Sequence, residues 1–440
     1  MSKKKKRILP FLYLLVFFSI VFYTYRVRSL TDDELYNYGY AVSILSHQVP
    51  YKDFSMIVPP TSAYLTAFFL LLFGKKLMVY HCLLAGLITT IFILGLKKIG
   101  YFILPVCLLI SFYPYAGYNI LSLFGLFAIL FFRENPRFQK WIPLIIVLMF
   151  TTKQTLALLI IPSLIEAQNK KRSILIYILS LFLFLFYFLY FNNLSSFLNY
   201  CFGGMLDFTT KNKTPISILT KIEFLILFFL AFSYWKTKRI EYFYVLTFQI
   251  IAFPIVDYFH FCLSLSPVVY LILEALKKRK MLFYYCFIFF TTIALTLHLV
   301  VIIKTEYQAM TTYPVKNFME GRLCSSATPN LIQNIQNQIE ESNAKKVYIL
   351  GNFSYLVKLN SNLKIDAYDN INKGNLGYHG EEKVKKKIIT TCKNTTCLFI
   401  FNESEANGQR KSQTSKTILN EIKKNYIQYY SSSNFDLYKN

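Results

Sequence analysis

The sequence predicts a polytopic α-helical membrane bundle, with about 11 spans, followed by a C-terminal soluble α/β domain. Of its 440 residues, 55% are hydrophobic and 18% are aromatic, whereas only 16% are charged. Apolar runs before residue 304 repeatedly approach the length of a bilayer crossing, and beyond it short strand-like runs alternate with polar helical stretches. This pattern excludes an ordinary soluble globular protein.

The strongly basic composition indicates membrane topology rather than nucleic-acid binding. The net charge is +25, and residues 1–303 contain 29 basic and 11 acidic residues. Lysine and arginine concentrate in the cytoplasmic loops of membrane proteins. The sequence has no aromatic-basic platform, zinc-ligand spacing or recognition-helix pattern, so we predict no nucleic-acid partner.

The beginning of the chain is typical of a retained first span. Residues 1–7 include four consecutive lysines, and residues 8–25 are apolar. This apolar stretch is longer than that of a signal peptide, and Tyr23, Tyr25, Arg26 and Arg28 at its end lack the small side chains of a cleavage site.

Eleven spans follow from the apolar runs if residues 61–73 form an interfacial or re-entrant helix. This segment has 13 residues between Pro59-Pro60 and Gly74, which is short for a full crossing. The predicted spans lie near residues 8–25, 77–96, 100–114, 118–132, 141–150, 155–167, 173–192, 216–234, 241–256, 261–276 and 281–303. Several are shorter than a bilayer crossing, so we expect tilted, broken or sheltered helices.

The distribution of basic residues orients these spans. With 61–73 in the interface, 20 basic residues before residue 304 lie inside and 9 outside, which places the N-terminus in the cytoplasm and the C-terminal domain outside. A crossing at 61–73 changes the distribution to 11 inside and 18 outside. A second topology, with 141–166 as one span, gives 17 and 12 but places Lys153 at mid-membrane, which is energetically costly.

The predicted domain boundary falls at residue 303. Residues 1–303 form the transmembrane domain, whose first outer loop covers 26–76, and residues 304–440 form an extracytoplasmic α/β domain. Strand-like runs at 347–351 and 398–401 support the latter. Cys392 and Cys397 lie in this domain, and its predicted outer location permits a disulfide between them.

A cluster of acidic residues marks the first outer loop. Asp32, Asp33 and Glu34 are adjacent, and Asp53 follows in the same loop. Mutual repulsion of adjacent carboxylates raises the pKa of at least one of them, which suits proton abstraction or metal binding. Thr31 and the two aspartates would also cap the start of a helix, and composition alone favours that interpretation.

A longer motif surrounds this cluster. The segments follow in the order Asp33-Glu34-Leu35-Tyr36, Val49-Pro50-Tyr51-Lys52-Asp53-Phe54, Pro59-Pro60, a short helix with Tyr64 and Phe68, and Leu72-Phe73-Gly74. Together they resemble the first outer loop of bacterial membrane glycosyltransferases with the C-type (GT-C) fold, the protein mannosyltransferase and aminoarabinose transferase group, or glycosyltransferase family 39. The resemblance covers this loop and the general layout of residues 1–303.

The resemblance implies a multi-pass membrane transferase that builds cell-envelope glycans. Such an enzyme moves a hexosyl or pentosyl unit from a polyprenyl-phosphate donor, held among membrane lipids, to an extracytoplasmic hydroxyl or amine. The acceptor is a lipid, a glycan or a protein, and the reaction is a single displacement with inversion at the anomeric carbon. This donor needs no nucleotide site, and residues 1–303 contain no P-loop or Rossmann glycine motif.

The resemblance also implies site residues. The catalytic base falls on Asp33, with Asp32 as the register alternative and Glu34 in the same acidic group. The implied substrate-binding residues are Asp53, Tyr51, Lys153, Gln154, Asp257 and His260. Lys153 is suited to hold a lipid phosphate as a point charge, or it extends to the membrane surface as an ordinary interfacial lysine. His260 is either a residue of the site or a satisfied interfacial histidine, which is the more common case at a membrane surface, so it ranks below Lys153 and Asp33.

The predicted reaction requires no cofactor. The sequence has no compact metal-ligand spacing, so no metal site is predicted, although Asp32, Asp33 and Asp53 leave a divalent metal open.

A polytopic transporter or flippase for lipid-linked glycans is the alternative function. Transporters place charged groups at mid-membrane on broken helices and often contain internal repeats. Here four of the 11 acidic residues before residue 304 lie in the first outer loop, and no internal repeat is evident. These observations favour the transferase.

Overall fold

The computed structural model describes residues 3–27, 32–111, 117–204, 218–253, 256–279, eight positions between 289 and 304, 310–313, 317–325, 327–350, 354–371, 376–401, 416–432 and 435–440. The chain forms two compact units. The first comprises Met1–Ser29, Met78–Phe186 and Thr214–Met310. The second comprises Leu30–Leu77, Tyr187–Lys213 and Thr311–Asn440.

Helices make up most of the described chain. In chain order they are α1 (Lys3–Val27), α2 (Asp32–Leu45), α3 (Thr61–Phe73), α4 (Leu77–Ile99), α5 (Leu104–Ser111), α6 (Gly117–Phe132), α7 (Pro136–Gln139), α8 (Ile142–Phe150), α9 (Ile160–Glu166), α10 (Lys170–Tyr190), α11 (Leu194–Leu198), α12 (Ile218–Thr237), α13 (Ile240–Phe248), α14 (Tyr258–Arg279), α15 (Ala327–Ser342), α16 (Ser354–Asn360), α17 (Gly380–Asn394) and α18 (Lys416–Asn425).

Four of the described helices are long and apolar enough to cross a membrane. They are α4, α10, α12 and residues Tyr258–Lys277 of α14. Each overlaps a predicted span, at 77–96, 173–192, 216–234 and 261–276 respectively. Shorter apolar helices cover Leu14–Arg26, Thr61–Phe73, Gly117–Phe132, Gln154–Glu166 and Ile240–Ala252. A helical membrane protein is therefore supported, while the number of about 11 spans remains a prediction. The predicted span at 281–303 lies largely outside the described residues.

Two of the long helices expose the apolar surface that a soluble protein would bury. Most of α10 and α12 is uncovered, including Leu175, Ile178, Phe224 and Phe228. Because the hydrophobic effect opposes such exposure to water, these surfaces are suited to lipid.

Helix α3 has the bounds that the sequence predicts for an interfacial segment. It buries small side chains such as Ala63 and Ala67 while it exposes Phe68 and Leu71. The helix ends at Gly74, which has a positive φ of 102° and whose amide donates to Leu70 O at 3.0 Å.

Where the sequence predicts short spans, the first unit contains short helices separated by interruptions. Helix α8 ends at Phe150, and the Thr152 hydroxyl then donates to Leu148 O at 2.7 Å. A threonine that binds its own preceding turn competes with regular helix bonding. A 3₁₀ helix over Gln154–Leu159 follows before α9 begins, and a second 3₁₀ helix, Gln249–Ala252, ends α13.

The second unit contains the predicted α/β region. Its strands are β1 (Met310–Thr312), β2 (Leu323–Ser325), β3 (Lys346–Leu350), β4 (Tyr368–Ile371), β5 (Cys397–Phe401), β6 (Ile427–Ser431) and β7 (Asp436–Lys439). Strands β1 and β2 form a pair, and the other five form a sheet in the order β4-β3-β5-β7-β6. Strand β3 is parallel to β4 and β5, whereas β7 is antiparallel to β5 and β6.

The sheet forms the core of this region. All five residues of β5 are buried, in agreement with a central strand covered on both faces. Tyr348 and Phe399 stack in the core with Ile388 of α17 and Ile418 of α18. A disulfide joins Cys392 and Cys397, as the sequence predicts, and connects the end of α17 to the start of β5.

The compact units divide the chain differently from the predicted boundary. The first-loop segment Leu30–Leu77 belongs to the same unit as Thr311–Asn440. Within that unit the Tyr38 ring stacks on Phe318 with a centroid distance of 5.5 Å, and Leu77 N donates to Phe318 O at 2.8 Å. The first outer loop is thus packed against residues that follow the predicted transmembrane domain in sequence.

Candidate active site

The acidic cluster lies at the start of α2, which begins at Asp32. The Asp33 side chain is exposed, and its backbone carbonyl accepts from Asn37 Nδ2 at 2.8 Å. Tyr40 lies further along the same helix and is buried. Its burial, together with the nearby charge of Asp33, raises the pKa of its hydroxyl. The side chain of Asp32 lies outside the described residues. Asp33 therefore presents a carboxylate at the surface of the second unit.

Glu34, the third member of the cluster, has a different environment. Its side chain is only 1% exposed, and Oε2 lies 3.4 Å from Arg322 Nη2, a guanidinium that is fully buried. A buried ion pair requires good geometry because both charges lose their hydration. The pair fixes the first turn of α2 to the segment that leads into β2. Adjacent carboxylates thus separate into an exposed one and a buried, neutralised one.

Tyr51 and Asp53 stabilise the tight turn over residues 49–54. Tyr51 has a positive φ of 65°, and its buried hydroxyl donates to Val58 O at 2.6 Å. The exposed Asp53 carboxylate accepts from Val49 N at 2.7 Å through Oδ2. Aspartate commonly closes turns by binding a neighbouring backbone amide. These contacts explain why the motif combines a tyrosine with an aspartate two residues later.

Both residues of this turn line one cavity with the α/β region of the same unit. The cavity has a volume of about 220 Å³, and its wall includes Tyr40, Tyr355, Lys358 and Asp369. Tyr355 makes edge contacts with the rings of Tyr36 and Tyr40, at centroid distances of 5.0 and 5.7 Å.

The close packing of Tyr355 requires a glycine on α2. A Cβ placed on Gly39 would overlap the Tyr355 ring, so any other residue here would displace that ring. Glycine at this position therefore lets the aromatic wall approach the helix backbone directly.

Lys153 and Gln154 lie in the first unit, at the interruption between α8 and α9. The Lys153 ammonium is buried and donates to Asn119 Oδ1 and Ile251 O, both at 3.2 Å. It also lies 5.5 Å from the centre of the Tyr118 ring. Gln154 is buried as the first residue of the 3₁₀ helix. The predicted cation is thus surrounded by the interrupted ends of other helices.

Asp257 and His260 form a pair at the start of α14. Asp257 Oδ1 accepts from His260 N and contacts His260 Nδ1, both at 2.8 Å. Burial opposes ionisation of Asp257, but its hydrogen bonds and the charge of His260 together lower its pKa. A carboxylate on one ring nitrogen orients the imidazole and leaves the other nitrogen for a substrate. This arrangement agrees with either a helix cap or a binding residue.

The predicted residues therefore belong to two separate sets. Asp33, Glu34, Tyr51 and Asp53 lie in the second unit, whereas Lys153, Gln154, Asp257 and His260 lie in the first. Within the part of the chain that the structure describes, no group of three or more His, Cys, Asp or Glu side chains is arranged to hold a metal ion.

Sequence reasoning missed the partners that the C-terminal region supplies, namely Arg322, Tyr355 and Lys358. A single sequence offers a weak signal for them, because each is an ordinary residue of a polar segment. Lys358 occupies the middle of the short apolar stretch of α16, where a buried lysine is uncommon.

Comparison with known proteins supports the fold. No protein-family profile and no curated protein matches the sequence. Among solved structures, ArnT from Cupriavidus metallidurans bound to undecaprenyl phosphate aligns with 100% of this chain and 98% of its own, at 10% identity and a TM-score of 0.55. Its apo state aligns over the same shares at 9% identity, with a TM-score of 0.54. The resemblance to the C-type glycosyltransferase fold is thereby confirmed.

Proposed function

We propose that this chain is an integral membrane glycosyltransferase that moves a sugar from a polyprenyl-phosphate donor to an extracytoplasmic hydroxyl or amine. The observation that carries the proposal is the exposed carboxylate of Asp33 at the start of α2, beside the buried Glu34–Arg322 pair, in a chain with the C-type fold. ArnT from Cupriavidus metallidurans was solved with undecaprenyl phosphate, which supports a lipid-linked donor.

Asp33 is the proposed general base. As the acceptor oxygen attacks the anomeric carbon, its proton passes to the Asp33 carboxylate and the bond between that carbon and the phosphate oxygen breaks. Polyprenyl phosphate leaves with the bonding electrons, and attack from the opposite face inverts the anomeric carbon. The exposed side chain gives Asp33 access to a substrate.

Glu34 is assigned a positioning role within the acidic cluster. Its carboxylate is buried and its charge is balanced by Arg322, so it is poorly suited to accept a proton from a substrate. The ion pair instead holds the first turn of α2 in a fixed orientation. Asp32 remains the register alternative for the base.

The proposed donor contacts lie in the first unit. Lys153 and Gln154 would stabilise the departing phosphate, since a lysine acts on phosphate as a point charge. Asp257 and His260 would contact the donor sugar or phosphate through the oriented imidazole.

The proposed orientation places the α/β region outside the cytoplasm and the N-terminus inside. The distribution of 20 basic residues inside and 9 outside supports it. The Cys392–Cys397 disulfide supports it independently, because disulfides persist in oxidising compartments and are rare in the cytosol.

Replacement of the proposed base tests the function. Asp33→Asn keeps the shape of the side chain but removes the basic carboxylate, so transfer should fall by roughly two to four orders of magnitude. Donor binding should persist, because the phosphate contacts lie on other residues. The assay measures transfer from a mixture of polyprenyl-phosphate sugars in purified membranes.

Asp32→Asn is the matched control. Successive residues of a helix point in different directions, so this change should reduce transfer far less. A fully active Asp33→Asn enzyme would remove Asp33 from the mechanism, and loss in Asp32→Asn alone would move the base by one residue.

A further inference from the structure

The cavity of the second unit combines a small volume with an aromatic and cationic wall. Its volume of about 220 Å³ is below the range of about 300–1,000 Å³ of sites for drug-sized ligands, so it is suited to a single small ring. Seven of the residues that line it are tyrosines, and four are lysines: Tyr36, Tyr40, Tyr51, Tyr200, Tyr348, Tyr355, Tyr368, Lys52, Lys358, Lys383 and Lys387.

Lys358 is the most informative residue of this wall. Its side chain is only 3% exposed, although it carries an ammonium group. Within the described residues its ammonium has neither a hydrogen bond nor an ion pair; the Tyr355 ring lies 5.2 Å from Nζ to the centroid, and the Asp369 carboxylate of the same wall acts on it only at longer range. Burial of an unpaired charge is costly. An anion that enters the cavity would remove this cost.

The two carboxylates of the cavity already have partners other than Lys358. Asp369 pairs with Lys387 at 2.8 Å and with Lys346 at 3.3 Å, and Asp53 accepts from Val49 N. Four lysines against two aspartates leave a positive excess at the wall. The cavity therefore favours an anionic ligand over a neutral or cationic one.

The tyrosines add recognition of a hydroxylated ring. Tyrosine offers a flat apolar face together with a hydroxyl that hydrogen-bonds. The wall is closely packed, because Tyr355 lies against the Gly39 backbone and Ser354 Oγ donates to the Tyr36 hydroxyl at 3.2 Å. Such a wall is suited to the apolar C–H face and the hydroxyls of a sugar.

We propose that this cavity binds an acidic sugar unit of the acceptor, with the ring against the tyrosines and its phosphate or carboxylate beside Lys358. The inference rests on the proposed transfer reaction for its role in acceptor recognition, whereas the binding site itself stands on the cavity. Lysine interacts with both anionic groups as a point charge, so the acidic sugar is defined by its charge and its ring.

Equilibrium binding to the purified full-length protein tests the proposal, with four probes. Glucose 6-phosphate and glucuronate contain the ring and the anion, glucose contains the ring alone, and inorganic phosphate contains the anion alone. At least one acidic sugar should bind roughly ten-fold or more tightly than glucose and than phosphate, because it makes both the charge-assisted contact and the ring contacts. Whether the phosphate or the carboxylate binds better identifies the acidic group.

Lys358→Met should lower the affinity for the acidic sugar to that for glucose and leave glucose binding unchanged. Lys358→Arg, which keeps the charge, should retain part of the preference for the acidic sugar, and Lys364→Met, which removes an exposed lysine outside the cavity, should have no effect. Melting curves establish that each variant is folded. Equal binding of glucose and both acidic sugars, or acidic-sugar binding unaffected by Lys358→Met, would overturn the proposal.

The outcomes separate this inference from the proposed function. If acidic-sugar binding depends on Lys358 while Asp33→Asn leaves transfer intact, the cavity stands and the catalytic proposal fails. If Asp33→Asn abolishes transfer while no acidic sugar binds preferentially, the function stands and the cavity proposal fails.

Discussion

Two buried lysines in different units show how the fold treats a buried charge in two ways. Lys153, in the first unit, is 8% exposed and donates to Asn119 Oδ1 and Ile251 O. Lys358, in the second, is 3% exposed and lies over the face of Tyr355, and among the described residues it has no hydrogen bond or ion pair. The first charge is satisfied by the protein itself. The second is left to be satisfied by something that the protein binds.

This difference separates a buried charge that protein oxygens already balance from one that they do not. A buried lysine with oxygen partners stabilises the elements that supply those oxygens, which here are α6 and the 3₁₀ helix at the end of α13. A buried lysine without such partners destabilises the fold, and proteins retain such costs mainly at functional sites. The stability effects of removing the two lysines should therefore have opposite signs.

The largest effect is expected at Lys358. Burial is the main cause that lowers its pKa from 10.5 to about 8. Each pKa unit corresponds to about 1.4 kcal/mol, so this shift corresponds to about 3.5 kcal/mol. The loss of the cation–π contact with Tyr355 offsets about 0.5–1 kcal/mol of this, so Lys358→Met should raise the free energy of unfolding at pH 7 by about 2.5–3 kcal/mol. Chemical unfolding of the purified protein in detergent measures this change. Lys364→Met, at an exposed position, should change it by less than about 0.5 kcal/mol, and a destabilised Lys358→Met would contradict the comparison.

A smaller effect of opposite sign is expected at Lys153. Lys153→Met leaves Asn119 Oδ1 and Ile251 O without this donor in an apolar setting, which should lower the free energy of unfolding by about 1–3 kcal/mol. The same unfolding assay applies. The double variant Lys153→Met/Asn119→Leu should recover part of the loss, because removal of both partners leaves fewer unsatisfied groups. A single variant as stable as the wild type would show that the two oxygens do not depend on Lys153.

Local sequence pattern predicts much of the fold. The four long apolar helices and the 13-residue helix α3 coincide with runs whose length and composition are evident in the sequence. Strands β3 and β5 coincide with the strand-like runs at 347–351 and 398–401. Apolar runs are less informative where helices are interrupted, as between α8 and α9, because neither Thr152 nor the 3₁₀ helix changes the hydropathy. The apolar runs therefore do not locate these interruptions, and the number of about 11 spans stays a prediction.

The sequence predicts only those site residues that lie close together in one sequence motif. Asp33, Tyr51 and Asp53 lie in one loop, and their order carries the resemblance. Arg322 lies 288 positions after Glu34, so tertiary packing alone brings them together. Lys358 is likewise recognisable only from its burial and its missing partners, which require the folded cavity.

The smallest effect is the pH dependence of the destabilisation that the buried charge of Lys358 causes. The charged groups that face its ammonium or line the same cavity are Asp366, Asp369, Asp53, Lys346, Lys52, Lys383 and Lys387. Below pH 8 Lys358 is protonated in both the folded and the unfolded state, so the buried charge destabilises the folded state to its full extent. Between pH 8 and 10.5 the folded state releases it first, and the stability of the wild type rises relative to Lys358→Met.

The stability difference between the two proteins should therefore narrow by about 1 kcal/mol from pH 8 to pH 9. Parallel unfolding curves at pH 7, 8, 9 and 9.5 measure the difference, so contributions from the other lysines cancel. Lys358→Arg is the matched control, because its guanidinium stays protonated over this range and its difference from Lys358→Met should stay constant. If the difference in free energy of unfolding between the wild type and Lys358→Met is also constant over this range, Lys358 keeps its proton in the folded state. The cavity would then already hold a counter-charge for it.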